Sequence, residues 1–508
     1  MKNSQLNRSN ESGVCEIKHS DPMSQQIKYL NPQAVWEQFA AINQIPRASK
    51  KEEQIVKFIM DFAEALQLDT YRDKTGNVII RKPATKGLEN HKTTILQAHV
   101  DMVHQKNQDT VFDFENQGIQ MFVDENWVRA EGTTLGADNG IGVAAIMAIL
   151  ASDTIAHPPI EALLTVDEET GMTGATGLDT GVLQGEILLN LDTEDDEEIC
   201  IGSAGGIDIT ATKEYKQTAI PQHYIGYEIA VKGLQGGHSG MDINRGLGNA
   251  NKIMNRVLYH INAATNMRLV ELQGGSLRNA IPRESTAIVA VDPSASLSNL
   301  LEEIASLIKA EFKTTEPHLQ LSASKLSSLP AEGMAEEDQQ ALINAVYAAP
   351  NGVYAMSPDF ERLVLSSNNI AKVSVGSGHI NIQCLTRSSS ESSKSDLTNT
   401  IRAAFELAGC TITLSGEYPG WQPDPHSEIL AVLAHIYKKQ NNQEPNIMAV
   451  HAGLECGILG EKYPHLDKIS FGPTILGAHS PDERASIASV QKFWSFLLEI
   501  LKNIPEKT

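Results

Sequence analysis

The chain has 508 residues, 41% hydrophobic and 20% charged, with a formal net charge of −22. That length exceeds one ordinary core, so two or more domains are expected, and the composition is that of a soluble globular protein. The acidic excess, 63 Asp and Glu against 41 Lys and Arg, argues against a nucleic-acid or anionic-membrane partner, since both need a basic face.

No run approaches the ~18 apolar residues of a membrane span. The first thirty residues are polar and mixed in charge, without the apolar region of a secretory signal. Residues 1–25 read as a flexible extension or an upstream start, with Met23 just before the first structured segment. The five cysteines (Cys15, Cys200, Cys384, Cys410, Cys456) are scattered and form no CxxC pair. They fit a reducing, cytoplasmic setting and offer neither a disulfide framework nor a thiolate zinc site.

In chain order, residues 52–68 place Ile55, Phe58, Ile59, Phe62, Ala63 and Leu66 at helical spacing, which predicts an amphipathic surface helix. Residues 93–100 (TTILQAHV) read as a buried strand and 140–151 (GIGVAAIMAILA) as an apolar helix entered through Asp138-Asn139. Residues 160–166 and 187–191 are further short apolar strands. Alternation of this kind implies a doubly wound α/β layer on a mixed, largely buried sheet.

The texture changes after about residue 205. Strands are predicted at 224–231, 286–291 and 411–415 and a pair of β-like runs at 372–386, with helices at 249–261, 297–312 and 395–408. This order suggests an inserted α+β unit, an antiparallel sheet with helices on one face. Helices at 428–438 and 487–501 close the chain. The expected organisation is a discontinuous catalytic domain, 26–205 plus 418–508, interrupted by a lid and dimerisation domain over 206–417.

Acidic or imidazole side chains stand where the apolar runs stop: His99 and Asp101, Asp138, Glu168 and Glu169, and Asp192. Ligand sites in open α/β sheets form outside the carboxyl ends of strands, so these groups can converge. Converging carboxylates repel unless a cation neutralises them, which points to a metal centre. Each element alone has a plainer explanation. A His after a strand is also a structural hydrogen-bonding residue, Glu-Glu a solvated face, and Asp138 a helix cap.

Five blocks in order resemble a known family: QAHVDMV (97–103), GTTLGADNGIGVA (132–144), LLTVDEETGMTGA (163–175), NLDTED (190–195) and GAHSPDE (477–483). They are similar to the zinc dipeptidase, aminoacylase and carboxypeptidase family with cocatalytic zinc ions. GGHSGMDINRGLGNANK (236–252), RNAIPRE (278–284) and HAGLECG (451–457) resemble its dipeptidase branch, which includes the aminoacyl-histidine dipeptidases. The resemblance runs from about residue 29 to the C-terminus.

Carried over position by position, it implies two Zn²⁺ per subunit, with Mn²⁺ or Co²⁺ as substitutes. His99 and Asp192 would hold one ion, Glu169 and His479 the other, and Asp138 would bridge them. Two zinc ions, three carboxylates and a bridging hydroxide make a neutral cluster, which suits a partly buried site. Asp101, two residues from His99 on a strand, can accept the other ring N–H and fix its tautomer. Glu168 would be the general base.

The resemblance makes His238 a lid histidine that stabilises the tetrahedral oxyanion in the other subunit's site, which implies a homodimer. The segment Gly237-His238-Ser239-Gly240-Met241 lacks the second glycine of a serine-hydrolase elbow. Asn279 would contact substrate and Arg387 would clamp its C-terminal carboxylate; for Arg387 a surface ion pair is the plainer alternative. Gly453 offers a closely approachable backbone, and Glu455 would meet metal-proximal groups or the substrate amine. The implied reaction is hydrolysis of unblocked dipeptides of broad sequence, Xaa-His included. The competing readings are an N-acyl amino-acid deacylase on the same metal site and an inactive metal-binding scaffold. A nucleotide-binding oxidoreductase is disfavoured because residues 136–142 do not match G-x-G-x-x-G.

Overall fold

The structure, a computed structural model, describes residues 26–507 apart from residue 295. The expectation for residues 1–25, with Met23 and Cys15, falls outside them. Among the described residues no helix is long and apolar enough to cross a membrane.

The first of two large sheets has eight strands in the order Asp69–Arg72, Val78–Lys82, Ile160–Thr165, Thr94–His99, Ile187–Asn190, Asp467–Ser470, Glu198–Ser203 and Asn446–Val450. Its centre is parallel, and antiparallel pairs join on both sides, so the sheet is mixed. The predicted strands at 94–99, 160–165 and 187–190 lie side by side at its middle.

Period-two alternation explains why these strands are apolar throughout. Val78, Ile80, Leu96, Ala98, Ala162, Leu164 and Leu189 face one core, shared with Trp36, Phe39, Ile141, Ile146, Leu433 and Phe493. Ile79, Ile95, Leu163 and Leu188 face the other, against Cys456, Leu459 and Tyr463. The helix Ala137–Ala151 is buried along nearly its whole circumference, as an all-apolar helix must be. Its first turn is irregular, because Asp138 and Asn139 have non-helical backbone angles.

The second sheet is antiparallel and runs Gln320–Lys325, Ile225–Lys232, Ser285–Val291, Met267–Gly274, Val364–Gly376, His379–Ser388, Gly205–Glu214 and Thr411–Tyr418, with Gly352–Met356 added beside Val364–Gly376. Helices Ala250–Ala264, Leu297–Glu311, Glu336–Ala348 and Glu391–Leu407 bury their apolar residues against one face of it. On the other face Lys372, Ser374, Asn381 and Gln383 are half-exposed. The chain is thus an α/β layer interrupted by an α+β unit.

One boundary and one missed element show where the sequence reading fell short. The helix expected at 395–408 begins at Glu391, because Ser390 caps it by accepting from the Ser393 N–H, and its polar first turn carries no periodic signal. A hairpin over Met121–Asp124 and Trp127–Ala130, which the sequence reading did not single out, pairs with the short strand Arg484–Ser486, which pairs in turn with Ile475–Leu476. The loop between those last two strands carries His479.

Candidate dinuclear metal centre

Parallel pairing sets His99 opposite Thr165 and Gln97 opposite Asn190. The chain therefore leaves all three central strands at one edge, and His99, Glu168-Glu169 and Asp192 emerge together. Asp138 reaches the same point from the turn before the apolar helix, and His479 from the 477–483 loop with a φ of +63°. His99 Nε2 lies 3.1 Å from Asp138 Oδ1 and 3.3 Å from Asp192 Oδ1. His479 Nε2 lies 3.1 Å from Asp138 Oδ2 and 2.9 Å from Glu169 Oε2. Asp138 thus presents one carboxylate oxygen to each histidine. Asn139 donates to the Leu191 carbonyl at 2.7 Å and to Asp192 Oδ1.

Asp101 is fully buried and holds several neighbours. One carboxylate oxygen lies 3.3 Å from His99 Nδ1, which is also 3.2 Å from the Asp101 carbonyl oxygen. The carboxylate also accepts the Glu168 N–H at 3.1 Å, the Glu169 N–H at 3.2 Å and the Ser49 hydroxyl at 2.8 Å. It therefore orients a histidine ring and both consecutive glutamates.

The electrostatics are those of carboxylates in need of positive charge. Burial pushes the Asp192 carboxyl up to about 6, and Asp138 and Glu169 add repulsion that His99 only partly offsets. Burial likewise raises Glu168 well above the carboxylate range, with Asp192, Glu455 and Glu169 contributing. Burial opposes a proton on His99, yet Asp192, Asp101 and Asp138 outweigh it and hold its affinity well above the usual value. His479 is raised to about 11 by its bonds to Asp138 and Glu169. A divalent cation does the work of those imidazole protons with greater charge. Glu169 Oε1 is buried without a hydrogen-bond partner, a costly state for a carboxylate oxygen that a cation relieves. The donor set, imidazole nitrogens and carboxylate oxygens without a thiolate, suits Zn²⁺ and also Mn²⁺ or Co²⁺.

The model of peptidase family M20/M25/M40 matches residues 95–503, a span that contains every one of these groups. The chain belongs to this family. It is 43% identical over 484 residues, 95% of its own length and all of the relative's, to the cytosol non-specific dipeptidase of Escherichia coli strain K12. The crystal structure of aminoacylhistidine dipeptidase from Vibrio alginolyticus matches with a TM-score of 0.91 and 46% identity, covering 96% of this chain and 99% of that one. A Staphylococcus aureus tripeptidase structure, 16% identical with a TM-score of 0.55 over 94% and 99% of the two chains, shares the fold.

In this M20/M25/M40 chain the remaining predicted residues form a second group. Arg387 is 5% exposed; its Nη1 donates to the Tyr418 hydroxyl at 2.7 Å, while its Nε is buried without a partner. His238 Nδ1 accepts the Gly240 and Met241 N–H groups at 3.2 and 3.0 Å. Its ring proton is thereby assigned to Nε2. Asn279 sits beside it, where its carbonyl accepts the Ser239 N–H at 2.8 Å next to the two-residue ladder of Gly237–His238 with Ala280–Ile281. Among the described residues, no hydrogen bond or ion pair joins His238, Asn279 or Arg387 to the five groups above.

At Gly453 a Cβ would lie 3.0 Å from the ring of Tyr418, the partner of Arg387, and 3.4 Å from the Met172 methyl. Glu455 is 1% exposed, and its Oε2 accepts from Gln97 at 2.6 Å and Thr165 at 2.7 Å. It lies beneath the strand ends, and burial raises its carboxyl to about 7.

Sequence reasoning passed over Arg47, Asn139, His451 and Glu483. Asn139 and Glu483 lie inside quoted motifs, so the signal was their place within GTTLGADNGIGVA and GAHSPDE. His451 opens HAGLECG, and its Nε2 meets the Ser367 hydroxyl at 2.7 Å. Arg47 belongs to no motif, and nothing in the sequence marks it.

Proposed function

We propose that this peptidase hydrolyses unblocked dipeptides with a two-metal centre. The observation that carries the reading is the pair of 3.1 Å contacts from the two carboxylate oxygens of Asp138 to two different histidines. His99 and Asp192 would hold one ion and Glu169 and His479 the other, with Asp138 shared between them. Two Zn²⁺ ions, or Mn²⁺ or Co²⁺ in their place, supply Lewis-acid polarisation of the scissile carbonyl and make water acidic near neutral pH. Glu168, held beside the centre by its N–H bond to Asp101, takes the proton of the attacking water and delivers it to the leaving amine. Asp101 keeps the His99 ring in its ligating orientation.

The second group handles the substrate. With Nδ1 occupied, His238 offers an Nε2–H to the oxyanion that develops on the scissile carbonyl. In a homodimer the inserted unit carries it to the partner subunit's site. Asn279 contacts the substrate beside it, and Gly453 leaves room for the peptide backbone. The buried guanidinium of Arg387 forms parallel hydrogen bonds with the substrate's terminal carboxylate, which limits substrates to short peptides. Glu455 is the least direct of the substrate-binding assignments, since its one bonded oxygen is held by Gln97 and Thr165.

The names of the two close relatives, a non-specific dipeptidase and an aminoacylhistidine dipeptidase, support broad dipeptide use that includes Xaa-His. The E. coli relative's name and the free, buried Cys200, Cys384, Cys410 and Cys456 support a cytoplasmic setting. The same reading makes 26–205 and 418–508 the catalytic domain and 206–417 the lid and dimerisation domain. Its support is that the strands of the mixed sheet lie within 69–203 and 446–470 and those of the antiparallel sheet within 205–418.

The test is a panel of free dipeptides, β-alanyl-histidine among them, run against N-acetyl amino acids on the purified protein. Turnover of dipeptides in strong preference is expected. A preference for the acylated compounds would replace the dipeptidase with a deacylase.

A further inference from the structure

Glu483 is buried and accepts four consecutive backbone N–H groups. Its Oε2 takes Leu135 at 2.7 Å and Gly136 at 2.9 Å, and its Oε1 takes Ala137 at 2.8 Å and Asp138 at 3.3 Å. Successive amides converging in this way form an anion cradle, and here the anion is the protein's own side chain. Arg47 grips the same turn from the opposite side, donating from Nη2 to the Gly136 carbonyl at 2.6 Å. Its Nη1 donates to the Val100 and Asp101 carbonyls at 3.1 and 3.2 Å, which ties the turn to the end of the His99 strand. There is no slack between them: at Gly136, with φ +68°, a Cβ would lie 2.4 Å from Arg47 Nη2.

We propose that Glu483 is a positioning residue that presets the backbone of Asp138, so that one carboxylate meets both metal positions at once. This rests on the reading of Asp138 as the bridging ligand. A bridging carboxylate has two distances to satisfy, and a shift of its backbone lengthens one of them. Glu483 lies four residues beyond His479 on the same loop, so that loop carries a ligand of one ion and the support of the shared ligand. The inter-metal geometry is thereby set by one C-terminal segment acting on a turn nearly 350 residues earlier in the chain.

The substitution Glu483→Gln keeps size and burial but turns an amide NH₂ towards two N–H donors. Metal-stripped E483Q and unsubstituted protein are titrated with Zn²⁺ against a chromophoric chelator, and dipeptide kinetics are measured on the loaded proteins. Binding of the weaker ion is expected to fall roughly 10- to 100-fold, with kcat lowered and KM within about twofold, since Glu483 is placed away from substrate. Two ions bound as in the unsubstituted protein with unchanged kcat would overturn the proposal, and so would a rise in KM at constant kcat.

Amide hydrogen exchange on the unsubstituted chain, stripped and loaded, gives a measurement independent of how E483Q folds. Slow exchange at 135–138 before metal is added is expected. Fast exchange there until metal binds would show that the ions, not Glu483, order the turn. Failure of the unsubstituted protein to bind two ions would overturn the two-metal reading and this role with it.

Discussion

The strand-end cluster and the group of Arg387 and His238 are opposites in hydrogen-bond chemistry. The first crowds the carboxylates of Asp138, Glu169 and Asp192 around two imidazoles and leaves a buried carboxylate oxygen without a donor. The second gathers donors, with the Arg387 guanidinium carrying a buried, unpaired Nε and His238 keeping its proton on Nε2. An acceptor-rich cluster calls for cations and a donor-rich one for an anion. On the proposed reading, a dipeptide would place its scissile carbonyl at a cluster of the first kind and its terminal carboxylate at one of the second.

Substitutions on the two sides should therefore fail differently. The largest effect is expected from Glu168→Ala, which should keep both metal ions while kcat falls by about 10²–10⁴. Near-normal turnover would remove Glu168 from the role of base. His238→Ala, on the donor side, should lower kcat by roughly 10²–10³ with metal content unchanged. Mixing H238A chains with E168A chains should restore activity, because a mixed dimer holds one intact site. No recovery would mean that His238 serves its own chain. The smallest effect is expected from Arg387→Ala, which removes a charge-assisted contact worth about 1.5–3 kcal/mol. KM for free dipeptides should rise roughly 10- to 100-fold, and much less for C-terminally amidated ones. Equal changes for both substrates would contradict the clamp and erase the contrast between the regions.

The two regions also differed in how far the sequence disclosed them. His99, Asp138, Glu169 and Asp192 were visible because short apolar strands end, and one apolar helix begins, at them, and sheet topology gathers strand ends. The mixed sheet and the antiparallel insert followed from the same periodicity. Supporting residues were hidden for physical reasons. Arg47 works through backbone carbonyls and Glu483 through backbone amides, and neither kind of bond leaves a pattern in side-chain identity. The extra reach of Asp101 to the Glu168 and Glu169 amides depends on two strand ends lying side by side, which spacing along one strand cannot express. Pairings such as His451 with Ser367, 84 residues apart, exist only once the insert has folded back on the sheet.

The central claim is that Asp138 bridges two metal ions that the reaction requires. The most direct test is to strip the purified chain with a chelator and titrate Zn²⁺ back, reading bound metal and dipeptide turnover together, beside an Asp138→Asn variant. The account predicts two ions per chain in the unsubstituted protein, with turnover following the second, and lost occupancy and activity in D138N. Full turnover by a chain stripped of metal, or two tightly bound ions in an active D138N, would contradict it.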